Sequence, residues 1–165
     1  MLSRRSFLHL SGLLATGALL PARTASASAT ILTVTGAALP GSGPVAFDLA
    51  GLDALPQTRF RTETPWTEGH PEFSGVLLSD VLTAVRAAPR TLHLVALNDY
   101  VVEADAAELT AGSALLATRK NGAEMDISDK GPIFVIFPFD DRPELRHQTY
   151  YSRAVWQLAQ VELLP

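Results

Sequence analysis

Cysteine is missing from all 165 residues. That absence excludes disulfides, thiolate metal ligands and a cysteine nucleophile together. Basic clusters are missing too beyond the first five residues: 13 Lys and Arg stand against 17 Asp and Glu, a net charge of −4. A nucleic-acid interface needs a basic face to neutralise phosphate, so no nucleic-acid partner is expected. No apolar run is long and unbroken enough to span a bilayer. There is no G-x-S-x-G nucleophile elbow, and Gly41-Ser42-Gly43 is too short, with no helix after it, to cradle a phosphate. Beyond residue 29 the histidines are His70, His93 and His147, none four residues from another, so no protein-ligated metal is expected. What remains is a chain with 47% hydrophobic residues, enough for one core in a single domain.

The first 29 residues read as an export signal rather than as part of the fold. Arg4 and Arg5 form a basic start, a modest apolar stretch follows, and Ala27-Ser28-Ala29 satisfies a small-residue cleavage pattern. Ser3-Arg4-Arg5-Ser6-Phe7-Leu8 also matches a twin-arginine export address. Cleavage after Ala29 leaves ten basic against seventeen acidic residues, net −7. The expectation is a soluble, acidic, periplasmic domain over residues 30–165 with no transmembrane segment.

Period-two alternation predicts strands over residues 31–35, 45–49 and 58–62, with a single helical turn over 51–56. Leu77, Leu78, Val81, Leu82 and Val85 predict an amphipathic helix that ends before Pro89. Residues 92–97 read as a buried strand, and Asn98-Asp99 as the turn of a hairpin into residues 100–103. A short helix opens at Asp105, a strand covers 113–119, and Lys120-Asn121-Gly122 is a tight-hairpin signal. The unbroken apolar run 133–137 reads as a central strand, and residues 154–164 as a last alternating one. The class is α+β, mostly short strands with small helices at the edges.

Three polar and aromatic loops stand at the ends of these strands: 62–70, 98–100 and 138–156. Loops held by a rigid scaffold are where ligands bind. Trp66 sits among Thr, Glu, Pro and Gly with no core periodicity around it, so it is read as an exposed flat face for a planar heterocycle. A nearby carboxylate would accept from an amino-imino edge. Packing readings stand beside this one. Trp156 falls in a strand-like stretch where a core position competes with a ligand wall, one of Tyr150 and Tyr151 should pack inward, and Arg153 has the option of pairing with a surface acid.

The order of motifs resembles the molybdopterin-binding domain of the sulfite oxidase family, and this sulfite oxidase-like fold is the expected one. The motifs are Phe73-Ser74-Gly75 through Asp80, Asn98-Asp99-Tyr100, the Leu115–Met125 hairpin, Gly131-Pro132 with its apolar strand, and Ser152-Arg153 with Trp156. The family's metal-binding cysteine would fall within residues 62–66, where this chain has none, and its arginine after G-x-P is absent too. A closer resemblance is to a cysteine-less branch of small exported pterin-binding proteins. It is carried by Thr64-Pro65-Trp66-Thr67-Glu68-Gly69, Leu97-Asn98-Asp99-Tyr100, Asp129-Lys130-Gly131-Pro132 and Tyr150-Tyr151-Ser152-Arg153-Ala154-Val155-Trp156-Gln157.

That resemblance implies a periplasmic, non-catalytic sensor that binds a reduced pterin without metal. It also implies relay to a membrane-bound cyclase or phosphodiesterase that sets cyclic-di-GMP. Trp66 would stack on the ring, Glu63, Glu68 or Asp99 would take its donor edge, and Lys130, Ser152 and Arg153 would reach its carbonyl or side-chain hydroxyls. Thr64, Thr67, Asn98, Tyr100, Tyr151 and Trp156 complete the expected ligand-binding set. Two alternatives stay open: a molybdopterin-dependent oxidoreductase lacking the cysteine ligand, and a pure interaction module.

Overall fold

The computed structural model describes residues 28–41 and 43–165. Nearly all of the expected export signal, Arg4 and Arg5 included, lies outside the described residues. The elements run β1 (Thr30–Thr35), β2 (Val45–Asp48), α1 (Leu49–Asp53), β3 (Gln57–Arg61), β4 (Glu72–Leu77), α2 (Leu78–Ala84) and β5 (Thr91–Ala96). They continue with β6 (Val101–Asp105), α3 (Ala106–Ala111), β7 (Leu115–Lys120), β8 (Ala123–Glu124), β9 (Phe134–Ile136), α4 (Gln148–Ser152) and β10 (Leu158–Leu164). Among the described residues no helix is long and apolar enough to cross a membrane.

Two five-stranded sheets result, and the architecture is α+β. The first has the order β2-β1-β10-β5-β6; β1 runs parallel to β10 and the other neighbours are antiparallel. The second has the order β3-β4-β7-β8, with β9 pairing on β7. Alternation places the core. Leu32 and Val34 of β1 and Leu92 and Leu94 of β5 point inward and are fully buried, while Thr33 and His93 face out. In β7 residues 115–118 are all buried, so both faces of that strand are covered. The short helices start on side-chain caps: Asp48 accepts from the Gly51 amide, and Asp105 from those of Ala107 and Glu108. At the β7–β8 turn Asn121 and Gly122 both take positive φ, 52° and 80°, as a tight hairpin requires.

Three elements differ from the sequence reading. Residues 72–77 form β4, a full member of the second sheet, where the sequence shows only the approach to α2. Ser74 and Gly75 dilute the strand signal, yet Gly75 is there because a Cβ would stand 2.1 Å from the Leu116 carbonyl oxygen on the neighbouring strand. The apolar run 133–137 is buried, but β9 pairs with one strand only. The Val135 amide donates instead to Val155 O, and Ile133 O accepts from the Leu158 amide, so this run joins the second sheet to the chain that enters the first. The last strand begins at Leu158; residues 148–152 form α4, which the adjacent tyrosines hid.

Candidate functional site

The loop between β3 and β4 is shaped by its threonines. Thr64 is buried; its Oγ1 accepts from the Trp66 amide at 3.1 Å and shares a 2.9 Å hydrogen bond with Thr67 Oγ1. This side-chain turn swings Trp66 back over the protein. The indole is half-buried and not the free flat face expected from the sequence. It meets Phe134, Tyr151 and Trp156 edge-on, with ring centroids 6.4, 5.9 and 5.9 Å apart. Perpendicular rings are a favoured arrangement of aromatic quadrupoles, so the cluster is stiff as well as apolar. Packing and exposure therefore share Trp66: one side anchors to the core through Phe134, the rest lines open space.

That space is a cleft of about 250 Å³. Its aromatic walls are Trp66, Tyr100, Tyr151 and Trp156, its buried small residues Ala96, Ala154 and Val155, and its polar groups Asn98, Ser152 and Gln157. Tyr100 and Trp156 are 55% and 42% exposed, unusual for rings this large. Tyr100 is presented by the β5–β6 turn, where Asp99 takes φ 62° and Asn98 Oδ1 accepts from the Tyr100 amide. Trp156 is presented because the chain straightens only at Leu158.

Trp66 also lines a second cleft of about 300 Å³, with Thr67, Glu68, Pro71, Lys120, Asn121, Asp129 and Lys130. Lys130 takes a left-handed backbone, φ 69°, and lays its ammonium 4.8 Å from the centre of the Trp156 ring. Asp129 hydrogen-bonds Lys120 and lies 3.8 Å from the Lys130 ammonium. The bond from Lys120 holds the Asp129 carboxyl below the usual carboxylate range, against the opposing effect of burial. A third recess, about 220 Å³, shares Tyr151 with the first and is lined also by Glu63, Thr64, Pro65 and Arg146. Next to it Asp140 binds His70 Nδ1 at 2.5 Å, the Glu63 amide at 3.0 Å and Arg146. Burial pushes the Asp140 carboxyl up, but these three donors outweigh it and the net direction is down.

The expected ligand set is thus divided. Trp66, Asn98, Tyr100, Tyr151, Ser152 and Trp156 come together in the first cleft. Thr67, Glu68 and Lys130 stand in the second, and Thr64 backs the third. Asp99 sits exposed on its turn and lines none of the three. Nor does Arg153, whose guanidinium is 2.6 Å from Glu108 and 5.9 Å from the Tyr150 ring centre. None of the candidate carboxylates Glu63, Glu68 and Asp99 lines the first cleft.

One residue that closes the Tyr150–Gln157 motif but was left out of the expected ligand set stands there instead. Gln157 takes φ 55°; its amide donates to Lys130 O, its carbonyl accepts from the Leu97 amide, and its Nε2 donates to Ile127 O at 2.8 Å. With Nε2 engaged, Oε1 is the acceptor left over. Its sequence signal was its place after Trp156 at the end of the resemblance motif.

Among the described residues no group of three or more His, Asp or Glu is arranged to hold a metal. With no cysteine in the chain either, the donor set does not fit a thiolate-held molybdenum.

No protein-family model matches the chain, and no curated protein matches it. Among solved structures, the sulfane dehydrogenase SoxCD from Paracoccus pantotrophus has a similar fold, with a TM-score of 0.58 at 14% identity. The likeness covers 81% of this chain and 37% of that one.

Proposed function

We propose that the chain is a binding protein for a planar heterocycle of the pterin class, and that it binds without catalysing. The observation that carries this reading is the first cleft. It has four aromatic walls, two of them exposed, and neutral hydrogen-bonding groups between them. A flat, polar-edged ring gains stacking from such walls and hydrogen bonds from Asn98, Ser152 and Gln157. The sequence resemblance to exported pterin-binding proteins supplies the chemical class, and the acidic, cysteine-free composition agrees with a metal-free binder. Relay of pterin level to a membrane-bound enzyme of cyclic-di-GMP metabolism extends the same proposal and rests on that resemblance.

The test begins with protein recovered from the periplasm of its own host, acid-released and assayed for fluorescent pterin and for molybdenum on one sample. Stoichiometric pterin without molybdenum supports the reading, as does its loss in Trp156→Ala. Stoichiometric molybdenum with a pyranopterin would make the chain an oxidoreductase instead. If nothing is released and the purified chain binds no added tetrahydrobiopterin, the proposal fails.

A further inference from the structure

The β3–β4 loop that carries Trp66 is held from outside itself. Its neck is closed by the Thr62 amide, which donates to the Pro71 carbonyl at 3.2 Å. Asp140, from the chain after β9, then grips the loop near both ends. Its carboxylate accepts from the Glu63 amide at 3.0 Å and bonds His70 Nδ1 at 2.5 Å. Its amide donates to Oγ1 of the buried Thr62 at 3.2 Å. Among the described residues, every hydrogen bond from loop residues 62–71 to another part of the chain ends on Asp140. Arg146 fixes Asp140 in turn: one guanidinium nitrogen bonds its carboxylate, and Nε donates to the Phe139 carbonyl at 3.0 Å. Phe139 packs on Tyr151 with ring centroids 5.0 Å apart, and Tyr151 meets Trp66 in the wall of the first cleft.

We infer that Asp140 is a positioning residue for the first cleft: from outside it, this side chain fixes where the Trp66 wall stands against Tyr151 and Trp156. The consequence for a ligand rests on the proposed reading of that cleft as the ring site; the placement of Trp66 does not. Thr64 and Thr67 set the indole relative to its own loop, not the loop relative to the protein. That second task is left to the edge-on ring contacts and to Asp140. Apolar contact is non-directional, whereas hydrogen bonds fix an angle. Burial pushes the Asp140 carboxyl up, but its donors pull it down further, so it is ionised at neutral pH and its bonds are charge-assisted. A loop gripped near both ends has its wall ordered before a ligand arrives, and binding need not supply that order. Without the grip only the molecules with Trp66 in place bind, and apparent affinity falls by their fraction.

The test needs a readout of Trp66 that no ligand supplies. Trp66 and Trp156 are the chain's two tryptophans, and their rings lie 5.9 Å apart, edge to face. Indoles this close couple, so the full unloaded chain should show an exciton couplet in far-ultraviolet circular dichroism. Asp140→Ala should lose about half of that couplet or more and bind tetrahydrobiopterin about tenfold more weakly. Asp140→Asn, which keeps one acceptor oxygen, should fall between that variant and the parent. Asp141→Ala, which removes the exposed neighbouring charge, should change neither readout. Should Asp140→Ala fail to fold, His70→Ala removes one grip from an exposed side chain and should reduce the couplet and weaken binding about threefold. A parent without a couplet, or a couplet that survives both Asp140→Ala and His70→Ala, overturns the inference, since ring contacts alone would then place Trp66. A couplet lost with tetrahydrobiopterin affinity unchanged overturns it as well. If the parent binds no tetrahydrobiopterin, the ring-site reading fails, and the couplet still decides whether Asp140 places Trp66.

Discussion

The interior between the sheets and the rim around the first cleft are both apolar, but for different reasons. Inside, Phe73, Phe134, Phe137 and Phe139 are fully buried, packed ring against ring, and hydration alone accounts for them. At the rim the large hydrophobic residues stay in solvent. Among the described residues Leu97, Tyr100, Val101, Ile127 and Trp156 are the exposed ones. Two of them are tied to Gln157, next to Trp156: the Leu97 amide donates to the Gln157 carbonyl, and the Ile127 carbonyl accepts from Gln157 Nε2. Tyr100 and Trp156 line the first cleft, while Leu97 and Ile127 line a neighbouring recess with Pro132 and Ala159; large exposed apolar side chains mark a surface shaped for contact. The interior answers to stability, and the rim is where the proposed ligand would bind.

Phe134 is where the two regions meet, against Phe73 at 5.6 Å and Trp66 at 6.4 Å. Phe134→Ala should cost about 3–5 kcal/mol in urea unfolding, a large part of a domain's stability. A cost below about 1 kcal/mol would mean the interior is not packed as described. Two glycines divide along the same line. Gly75→Ala drives a Cβ into the backbone of β7 and should cost about 2 kcal/mol or more. Gly69, on the rim loop with φ 64°, has open space at that position, so Gly69→Ala should cost only about 1 kcal/mol of backbone strain.

Trp156→Ala sharpens the contrast from the rim. With 42% of the residue already in water, its removal should cost about 1 kcal/mol of stability or less while abolishing pterin binding by fluorescence titration. A variant that loses stability as Phe134→Ala does would place Trp156 in the interior after all.

The same division governs what the sequence made legible. The α+β class, the β5–β6 and β7–β8 hairpins and the helix start at Asp105 rest on local chemistry, and local chemistry is what a sequence displays. β4 escaped because Gly75 answers to a strand about forty residues away. The one-sided pairing of β9 escaped because an apolar run says buried without saying by what. At the site, Trp66 stood out as an aromatic in polar company, while Tyr100 and Trp156 entered through the resemblance motifs, Trp156 against a competing core reading. Arg153 stood out equally, and its pairing with Glu108 is a tertiary fact. Gln157 closed a resemblance motif but was given no role, because its distinction is a left-handed backbone and three hydrogen bonds, none encoded by its neighbours.

The smallest expected effect comes from a third surface, the outer face of the first sheet, where polarity replaces both packing and binding. His93 on β5 faces Glu162 on β10 at 2.9 Å through Nδ1 and Glu103 on β6 at 3.2 Å through Nε2. The hydrogen bond to Glu162, then that to Glu103, raises its pKa above 6.5. A group with a raised folded pKa lends its full stabilisation below the unfolded value and loses it as pH rises through the folded one. Unfolding free energy should therefore fall as pH rises from about 6.5 through the raised folded value, and His93→Gln should flatten that slope. Both carboxylates are more than a third exposed, so solvent screening keeps the change below about 1 kcal/mol. A parent slope of the opposite sign, or one that His93→Gln leaves intact, would show that the three side chains do not interact in solution. If the slope is as expected and pterin affinity is the same in parent and variant, the outer face is set apart from the rim by function as well as by polarity.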